Sequence, residues 1–166
     1  MAGEATLVLI KPDAIQRGLT GTVLARLEQT GLRLLGAKIV RVNRALAEAH
    51  YQDLLRKPCF EEIVRYLCGE LHGTEYVWVL VYAGPSAIDT VRKLAGSTNP
   101  EQADPRSLRG AYGRITTTGV MENILHASSD LRESRREIPL WFRPEELLEP
   151  VELSGGRAAS PKAART

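Results

Sequence analysis

The residues best suited to chemistry lie at 123–128, where His126 follows a short apolar run and Ser128 stands two positions later. Asp130 and Glu133 then give the D-x-x-E spacing of a helix N-terminus, so the histidine stands between a strand and a helix. An imidazole held by rigid elements is a usable nucleophile or proton carrier near neutral pH. From this stretch alone, a histidine that merely ends a strand is the slightly favoured interpretation.

Two further stretches contain candidates for binding anions. Lys11 follows the apolar run 5–10, and Pro12 ends that strand because it has no N–H for the sheet and disfavours helical geometry at Lys11. The polar stretch 96–119 is longer than ordinary connections of roughly 4–6 residues. It contains the arginines Arg106, Arg109 and Arg114. A lysine after a strand and an arginine in a loop are both more often solvated than functional, so both interpretations stay open here.

The charge distribution argues against a nucleic-acid-binding protein. The chain has 166 residues, 43% of them hydrophobic, and a formal net charge of +2, which suits one soluble domain with a real core. Arg157, Lys162 and Arg165 lie in the last thirteen residues, which contain no acid, so residues 1–153 carry a net charge of −1. The composition of residues 154–166 predicts a disordered basic tail, and nucleic acid is not an expected partner.

Cysteine content and hydropathy predict a cytoplasmic protein. Cys59 and Cys68 are the only cysteines, with no CxxC pair and no histidine at ligand spacing, so free thiols are expected and a structural zinc is not. The apolar run 7–10 is far too short for a signal peptide or a membrane span, and no membrane association is predicted.

The order of elements predicts an α/β (α+β) sandwich of the ferredoxin-like kind, with a four-stranded antiparallel sheet and helices on one face. The strands are expected at 5–10, 34–42 and 76–82, with a fourth that ends at His126. In the second strand, Leu35, Ala37 and Ile39 are expected on one face. Thr20 or Thr22 is expected to cap the first long helix, and a helix is expected over 45–56. Residues 31–38 almost spell a phosphate-binding P-loop, but the lysine is one place late and the helix precedes the motif, so it is rejected.

Together these residues resemble the nucleoside diphosphate kinase family over residues 5 to about 148. Each motif is weak alone, but five in the right order over most of the chain are specific. The motifs are Lys11-Pro12-Asp13 with Gln16-Arg17-Gly18, His50-Tyr51 with Lys57-Pro58, Gly96 to Pro100, Leu108-Arg109-Gly110, and Asn123 to His126. The family-like domain is expected to cover residues 1–153.

The resemblance implies transfer of the terminal phosphate of a nucleoside triphosphate to a nucleoside diphosphate, by a ping-pong mechanism through a phosphohistidine on His126. It implies that Tyr51 donates to the phosphoryl oxygens, that Glu137 and Ser128 orient the imidazole, and that Asn123 and Lys11 reach the sugar. The implied phosphate ligands are Lys11, Arg92, Thr98 and Arg109. Mg²⁺ is expected on the nucleotide phosphates, with no metal site in the protein, and the family's members are usually hexamers or tetramers, so a homo-oligomer is expected. Lys11 and Arg109 are expected outside the core.

Two departures from the family pattern concern the nucleobase. The family usually has two aromatic residues after the proline, the first of which stacks on the base, whereas this chain has Cys59-Phe60. The chain is also longer by about four residues around 114–119, and longer again near 68–75. The sequence leaves open whether Phe60 moves into the stacking position or the loop 114–119 covers the other face of the base. A third departure follows His126, where the usual glycine is Ala127 and the usual Ser-Asp pair reads Ser128-Ser129. An alternative function is therefore a kinase-like domain with weak turnover, kept as a regulatory or interaction module.

Overall fold

The computed structural model describes residues 4–151, so the tail 154–166 and its predicted disorder lie outside the described residues. The strands are β1 Glu4–Ile10, β2 Arg33–Arg41, β3 Tyr76–Gly84, β4 Arg114–Ile115, β5 Met121–Glu122 and β6 Leu125–Ala127. The α-helices are α1 Pro12–Gln16, α2 Thr20–Glu28, α3 Arg44–His50, α4 Phe60–Leu67, α5 Ala87–Ala95, α6 Leu108–Tyr112 and α7 Leu131–Trp141. Short 3₁₀ helices cover Gln52–Leu54, Pro100–Gln102 and Pro144–Glu146. Within these residues no helix is both long and apolar enough to cross a bilayer.

A four-stranded antiparallel sheet with the order β2-β3-β1-β6 forms the centre of the fold. The apolar run of β1 predicts a central strand buried on both faces, and this is confirmed, because Leu7 to Ile10 are fully buried between β3 and β6. The predicted fold class is therefore confirmed.

The prediction that helices cover one face of the sheet is wrong, because both faces are covered. Leu7 and Leu9 of β1 pack in one hydrophobic cluster with residues of α3, α4 and α7. Val8 and Ile10 pack in a second cluster with residues of α1, α2, α5 and α6. Successive side chains of a strand point to opposite faces, so a continuous apolar run needs a helical layer on each side.

The predicted face of β2 is also wrong, and a β-bulge is the reason. The pairing of β2 with β3 shifts between Leu34 and Gly36, which places Leu35 in the core. Beyond the bulge, Ala37 and Ile39 point to the other face, where Ile39 is 56% exposed. An extra residue in one strand reverses the alternation that follows it, and sequence periodicity does not reveal this.

Several local boundaries differ from the predictions. The long stretch 96–119 contains α6 and the first strand of the β4–β5 hairpin, and Ser107 caps α6 by accepting from the Gly110 N–H. The residue at the N-cap position of α2 is Leu19, so neither Thr20 nor Thr22 caps that helix. The helix predicted over 45–56 ends as an α-helix at His50.

Candidate active site

His126 is the middle residue of β6 and pairs with Leu9 of β1, so the strand continues one residue beyond the predicted end. The following helix begins as expected, because Asp130 accepts a hydrogen bond from the Glu133 N–H at 2.9 Å. The His126 side chain is 17% exposed and lines a cavity of about 580 Å³. All but one of the predicted site residues line the same cavity, namely Lys11, Tyr51, Arg92, Thr98, Arg109, Asn123, His126 and Glu137.

Ser128, the exception, is fully buried behind the cavity wall and supports Glu137. Its hydroxyl donates to Glu137 Oε2 at 2.6 Å and accepts from the Leu7 N–H at 3.1 Å. Glu137 Oε1 lies 2.9 Å from His126 Nε2, close but not aligned for a hydrogen bond. A carboxylate beside Nε2 favours the tautomer with the proton on that nitrogen, which leaves the lone pair on Nδ1.

Burial has opposite effects on the two partners of this pair. It lowers the pKa of His126 well below its usual value, and the positive charges of Lys11 and Arg109 lower it further. Burial also raises the pKa of Glu137, although His50 and the Ser128 hydroxyl counteract the rise. Desolvation disfavours each charged form. His126 is therefore a neutral imidazole at neutral pH, which is the form that can act as a nucleophile.

Lys11 is 8% exposed, so its predicted position outside the core is wrong. Its ammonium donates to Asn123 Oδ1 at 2.8 Å and lies 5.1 Å from the centre of the Tyr66 ring. Asn123 in turn donates from Nδ2 to the Thr98 carbonyl at 3.0 Å. Burial, followed by repulsion from Arg109, lowers the pKa of Lys11 to about 7. An added anion would restore the charge on this lysine.

Arg109 is also 8% exposed, and the prediction that it lies outside the core is wrong for the same reason. Its guanidinium donates to three backbone carbonyls, those of Asn123 at 3.2 Å, Gly96 at 2.8 Å and Leu125 at 2.9 Å. Burial lowers its pKa to about 10, so it remains a cation. A guanidinium has five N–H donors, so two remain for a phosphate while three hold the cavity wall together. Neither of the other two loop arginines lines the cavity: Arg106 pairs with Asp104 and Arg114 with Glu122.

A strained turn at Ile124 fixes the approach to His126. Ile124 has φ of +72°, which is rare for a β-branched residue, and the Leu125 N–H donates to the Asn123 carbonyl across it at 2.8 Å. Asp13 accepts from the Ile124 N–H at 3.1 Å, and the Lys11 N–H donates to the Ile124 carbonyl at 2.9 Å. Such a conformation costs on the order of 1–3 kcal/mol and persists only when its surroundings fix it. The sequence interpretation assigned no role to Asp13, although it follows Lys11-Pro12 directly.

The chain resembles proteins of one known family along most of its length. The sequence profile of the nucleoside diphosphate kinase family matches residues 4–147. The chain belongs to the nucleoside diphosphate kinase family. It is 42% identical over 146 residues to the nucleoside diphosphate kinase of Pyrococcus furiosus, covering 88% of this chain and 87% of that one. It is 41% identical over 145 residues to a nucleoside diphosphate kinase of Thermus thermophilus, covering 87% and 99% respectively.

Solved structures of nucleoside diphosphate kinases show the same fold. A transition-state mimic of the Borrelia burgdorferi enzyme with bound vanadate and ADP superposes with a TM-score of 0.80 at 31% identity, covering 90% of this chain and 92% of that one. The Halobacterium salinarum enzyme in complex with CDP superposes with a TM-score of 0.79 at 36% identity, covering 89% of this chain and 92% of that one. This chain is thus a nucleoside diphosphate kinase that transfers phosphate between nucleotides, and the alternative of a kinase-like module with weak turnover is not favoured.

Residues that depart from the family pattern lie in the cavity wall, among them Cys59 and, beside His126, Ala127 and Ser129. Cys59 is exposed and lines the cavity, whereas Phe60 packs against the core cluster of α3, α4 and α7. The β4–β5 hairpin contributes Gly119, Val120 and Met121 to the cavity wall. The aromatic platform is therefore missing from this wall, and Phe60 has not moved into its place.

Buried polar contacts hold the hairpin in position. Glu122 at the end of β5 accepts from Arg114 Nε at 2.6 Å and lies 3.1 Å from His72 Nε2. His72 belongs to the lengthened segment before β3 and Arg114 to the one at 114–119, so Glu122 connects the two segments that are longer than the family pattern.

The sequence interpretation assigned no function to His50, which lies in the cavity wall with its ring centre 4.4 Å from that of His126. Ring nitrogens of these two histidines and a Glu137 oxygen lie within 4.8 Å of one another, the one such trio among residues 4–151. Trp141 Nε1 donates to His50 Nδ1 at 3.2 Å, so the proton of neutral His50 lies on Nε2. A metal ligand needs a free lone pair, and His50 offers none because Nδ1 accepts from Trp141 and Nε2 carries the proton, so the trio does not suit a metal ion.

Proposed function

We propose that this nucleoside diphosphate kinase works by a ping-pong mechanism in which Nδ1 of His126 carries the phosphoryl group. In the first half-reaction Nδ1 forms a bond to the γ-phosphorus while the bond from that phosphorus to the β–γ bridging oxygen breaks, and the nucleoside diphosphate leaves. In the second, a terminal oxygen of another nucleoside diphosphate attacks the phosphorus and the N–P bond breaks. The observation that carries this proposal is the neutral His126 with Nε2 beside Glu137 in a cavity lined with cations.

The cations and donors around His126 suit a phosphate chain. Phosphoryl transfer needs mostly an in-line nucleophile and fixed positive groups over the equatorial oxygens. In the proposal Arg109 uses its two remaining N–H groups for phosphate, and Arg92 and Thr98 bind phosphate at the exposed side of the cavity. Tyr51, whose buried hydroxyl has no partner among residues 4–151, donates to the transferred group. Lys11 binds both phosphate and the sugar hydroxyls, and Asn123 binds the sugar hydroxyls.

Glu137 acts on His126 through charge in this proposal. When Nδ1 bonds to phosphorus, the imidazole becomes cationic and its Nε2–H faces the Glu137 carboxylate. The Ser128 hydroxyl, which is itself held by the Leu7 N–H, fixes that carboxylate, so the carboxylate needs no reorganisation during the reaction.

Mg²⁺ is proposed to arrive on the nucleotide. The cavity presents Lys11, Arg92 and Arg109 as cations, and Glu137 is already engaged with Ser128 and His126. Mg²⁺ prefers an octahedron of oxygens, so these residues fit it only when phosphate oxygens and water supply the ligands. Bound in that way, the ion would neutralise charge that develops on the phosphates.

We infer that the protein is a homo-oligomer of the cytoplasm. Leu34, Ile39 and Tyr76 are large, more than a third exposed, and lie on one face at the β2 edge of the sheet. Such a patch favours association between copies of the chain. The cytoplasmic location is inferred from Cys59 and Cys68, which are free thiols, as in reducing compartments. Light scattering after size exclusion should give a mass several times that of one chain, and Ile39→Asp should lower it. A monomeric wild type would contradict the assembly.

Labelling with radioactive ATP tests the mechanism. The wild type incubated with γ-labelled ATP should become a phosphoprotein that is labile in acid and stable in base, whereas α-labelled ATP should leave no label. His126→Ala should still bind nucleotide and remain unlabelled. Label that persists in His126→Ala would remove the central claim.

A further inference from the structure

The two ring nitrogens of His50 differ, because Nδ1 accepts a hydrogen bond in the core and Nε2 makes none within residues 4–151. It is 1% exposed at the last position of α3, and its Nδ1 accepts the hydrogen bond from Trp141 Nε1 at 3.2 Å. An indole nitrogen can only donate, so Nδ1 must be unprotonated and Nε2 must carry the proton. The tautomer of His50 is therefore set by Trp141.

The Nε2–H of His50 is buried and has no partner among residues 4–151. A buried donor without a partner is costly, and most such groups in proteins are satisfied. The ring stands edge-on to His126, at an interplanar angle of 80°. Because Nδ1 is committed to Trp141, Nε2 is the atom of His50 that is available to the trio it forms with His126 and Glu137.

The position of His50 is fixed from outside the cavity as well. Arg136 donates to the carbonyls of Ala49 at 3.0 Å and His50 at 2.9 Å, at the end of α3, while it also pairs with Glu133 at 2.6 Å. The chain therefore anchors the backbone of His50 to α7, the helix that also carries Glu137 and Trp141.

We propose that His50 is a positioning residue whose Nε2–H faces the His126–Glu137 pair and keeps Glu137 ionised while phosphoryl transfer makes the His126 ring cationic. The inference rests on the proposed phosphohistidine mechanism. A neutral donor beside the carboxylate stabilises its charged form without adding a positive charge that would repel the cationic ring. Burial, followed by the effect of His126, lowers the pKa of His50 well below its usual value, which keeps the donor neutral.

The charged and titratable groups around this pair are few enough to interpret a pH profile. Glu137 interacts with His50 of α3 and, on α7 and at its cap, with Arg136 and Asp130. His126 interacts with Lys11, Arg109, Arg136 and Arg92, and His50 also interacts with Arg136 and Lys11. Lys11, with a pKa of about 7, changes charge near neutrality, and it affects the basic side of the profile.

The test is the pH dependence of single-turnover phosphorylation by γ-labelled ATP in the wild type, His50→Phe and Trp141→Phe. The acid limb reports proton uptake by the coupled His126–Glu137 pair. Losing the neutral donor beside the carboxylate should move this acid limb in His50→Phe upward by about one pH unit, so that the rate falls about tenfold on the acid limb and little near pH 8. Trp141→Phe should move the acid limb in the same direction by a smaller amount, because His50 is then free to change tautomer.

The nitrogen-15 spectrum of His50 provides an independent measurement that does not depend on turnover. In the wild type Nε2 should give the signal of a protonated nitrogen and Nδ1 that of an unprotonated one. A proton on Nδ1, or a uniform rate loss in His50→Phe with no movement of the acid limb, would overturn the inference. If His50→Phe does not fold, Trp141→Phe and the spectrum still decide. Absence of any label in the wild type would instead refute the phosphohistidine mechanism.

Discussion

The two parts of the cavity wall that are proposed to contact phosphate and base, the phosphate end and the base end, are built in different ways. At the phosphate end, Lys11, Arg109, Ser128 and Glu137 are all buried and bonded to other buried groups or to the backbone. At the base end, the wall includes the exposed Cys59 and residues of the short β4–β5 hairpin. The phosphate end matches the family motifs except at Ala127 and Ser129, while the base end lacks the aromatic platform.

The chemistry of each end accounts for the difference. Phosphoryl transfer needs charges fixed to within a fraction of an ångström, and buried polar groups hold such positions only when every partner is present. A nucleobase needs only an apolar surface of suitable shape, which several side chains can supply. The phosphate end is therefore expected to tolerate substitution poorly and the base end to tolerate it well. Four predictions test this contrast.

The largest effect is expected for Arg109→Ala. It removes a proposed phosphate ligand and leaves the carbonyls of Gly96, Asn123 and Leu125 without their donor, so turnover should collapse and the free energy of unfolding should fall by about 2–4 kcal/mol. The matched control is Arg92→Ala, since Arg92 is exposed at the same cavity. It should lose activity while stability changes by about 0.5 kcal/mol or less. Equal stability loss in both variants, measured by urea unfolding, would contradict the contrast.

The second prediction concerns pH and Lys11. The free protein loses the Lys11 proton above pH about 7, whereas a bound phosphate favours the ammonium, so binding above that pH requires proton uptake. The dissociation constant of ADP should therefore rise about tenfold per pH unit between pH 7.5 and 9. Calorimetry in buffers of different ionisation enthalpy counts the protons taken up. Lys11→Met should bind ADP more weakly, and its dissociation constant should not change with pH over this range. A dissociation constant that still rises with pH in this variant would show that another group takes up the proton.

The third prediction tests the base end through adjacent residues. Cys59→Phe should tighten nucleotide binding by up to about 1–3 kcal/mol, the usual range for one stacked base. Phe60→Ala should lower stability because Phe60 packs in the core, and leave affinity nearly unchanged. Fluorescence titration with purine and pyrimidine diphosphates would measure both variants. A strong loss of affinity in Phe60→Ala with no gain in Cys59→Phe is the opposite outcome.

The smallest effect is expected for Glu122→Gln, which weakens the contacts of Glu122 with Arg114 inside the hairpin and with His72 outside it. Nucleotide binding should weaken by about 1 kcal/mol, since Val120 and Met121 then lose their fixed position. Binding of inorganic tripolyphosphate, which has no base, should not change. A similar loss for both ligands would show that the hairpin supports the phosphate end as well.

The sequence by itself determined the features that depend on residue type and local spacing. The apolar run of β1 predicted a strand buried on both faces, and Asp130 and Glu133 predicted the start of α7. Five short motifs in the right order over residues 5 to about 148 indicated the family. These signals are local because strand alternation, helix capping and short motifs each extend over only a few residues.

Only the tertiary structure decided which polar groups meet. Lys11 and Asn123 are 112 residues apart in sequence, and His50 and Trp141 are 91 apart, yet each pair shares a buried hydrogen bond. The burial of Arg109 likewise depends on carbonyls 13 to 16 residues away. Charged residues look like surface residues in a sequence, because the partners that compensate for their burial come from other elements once the chain has folded.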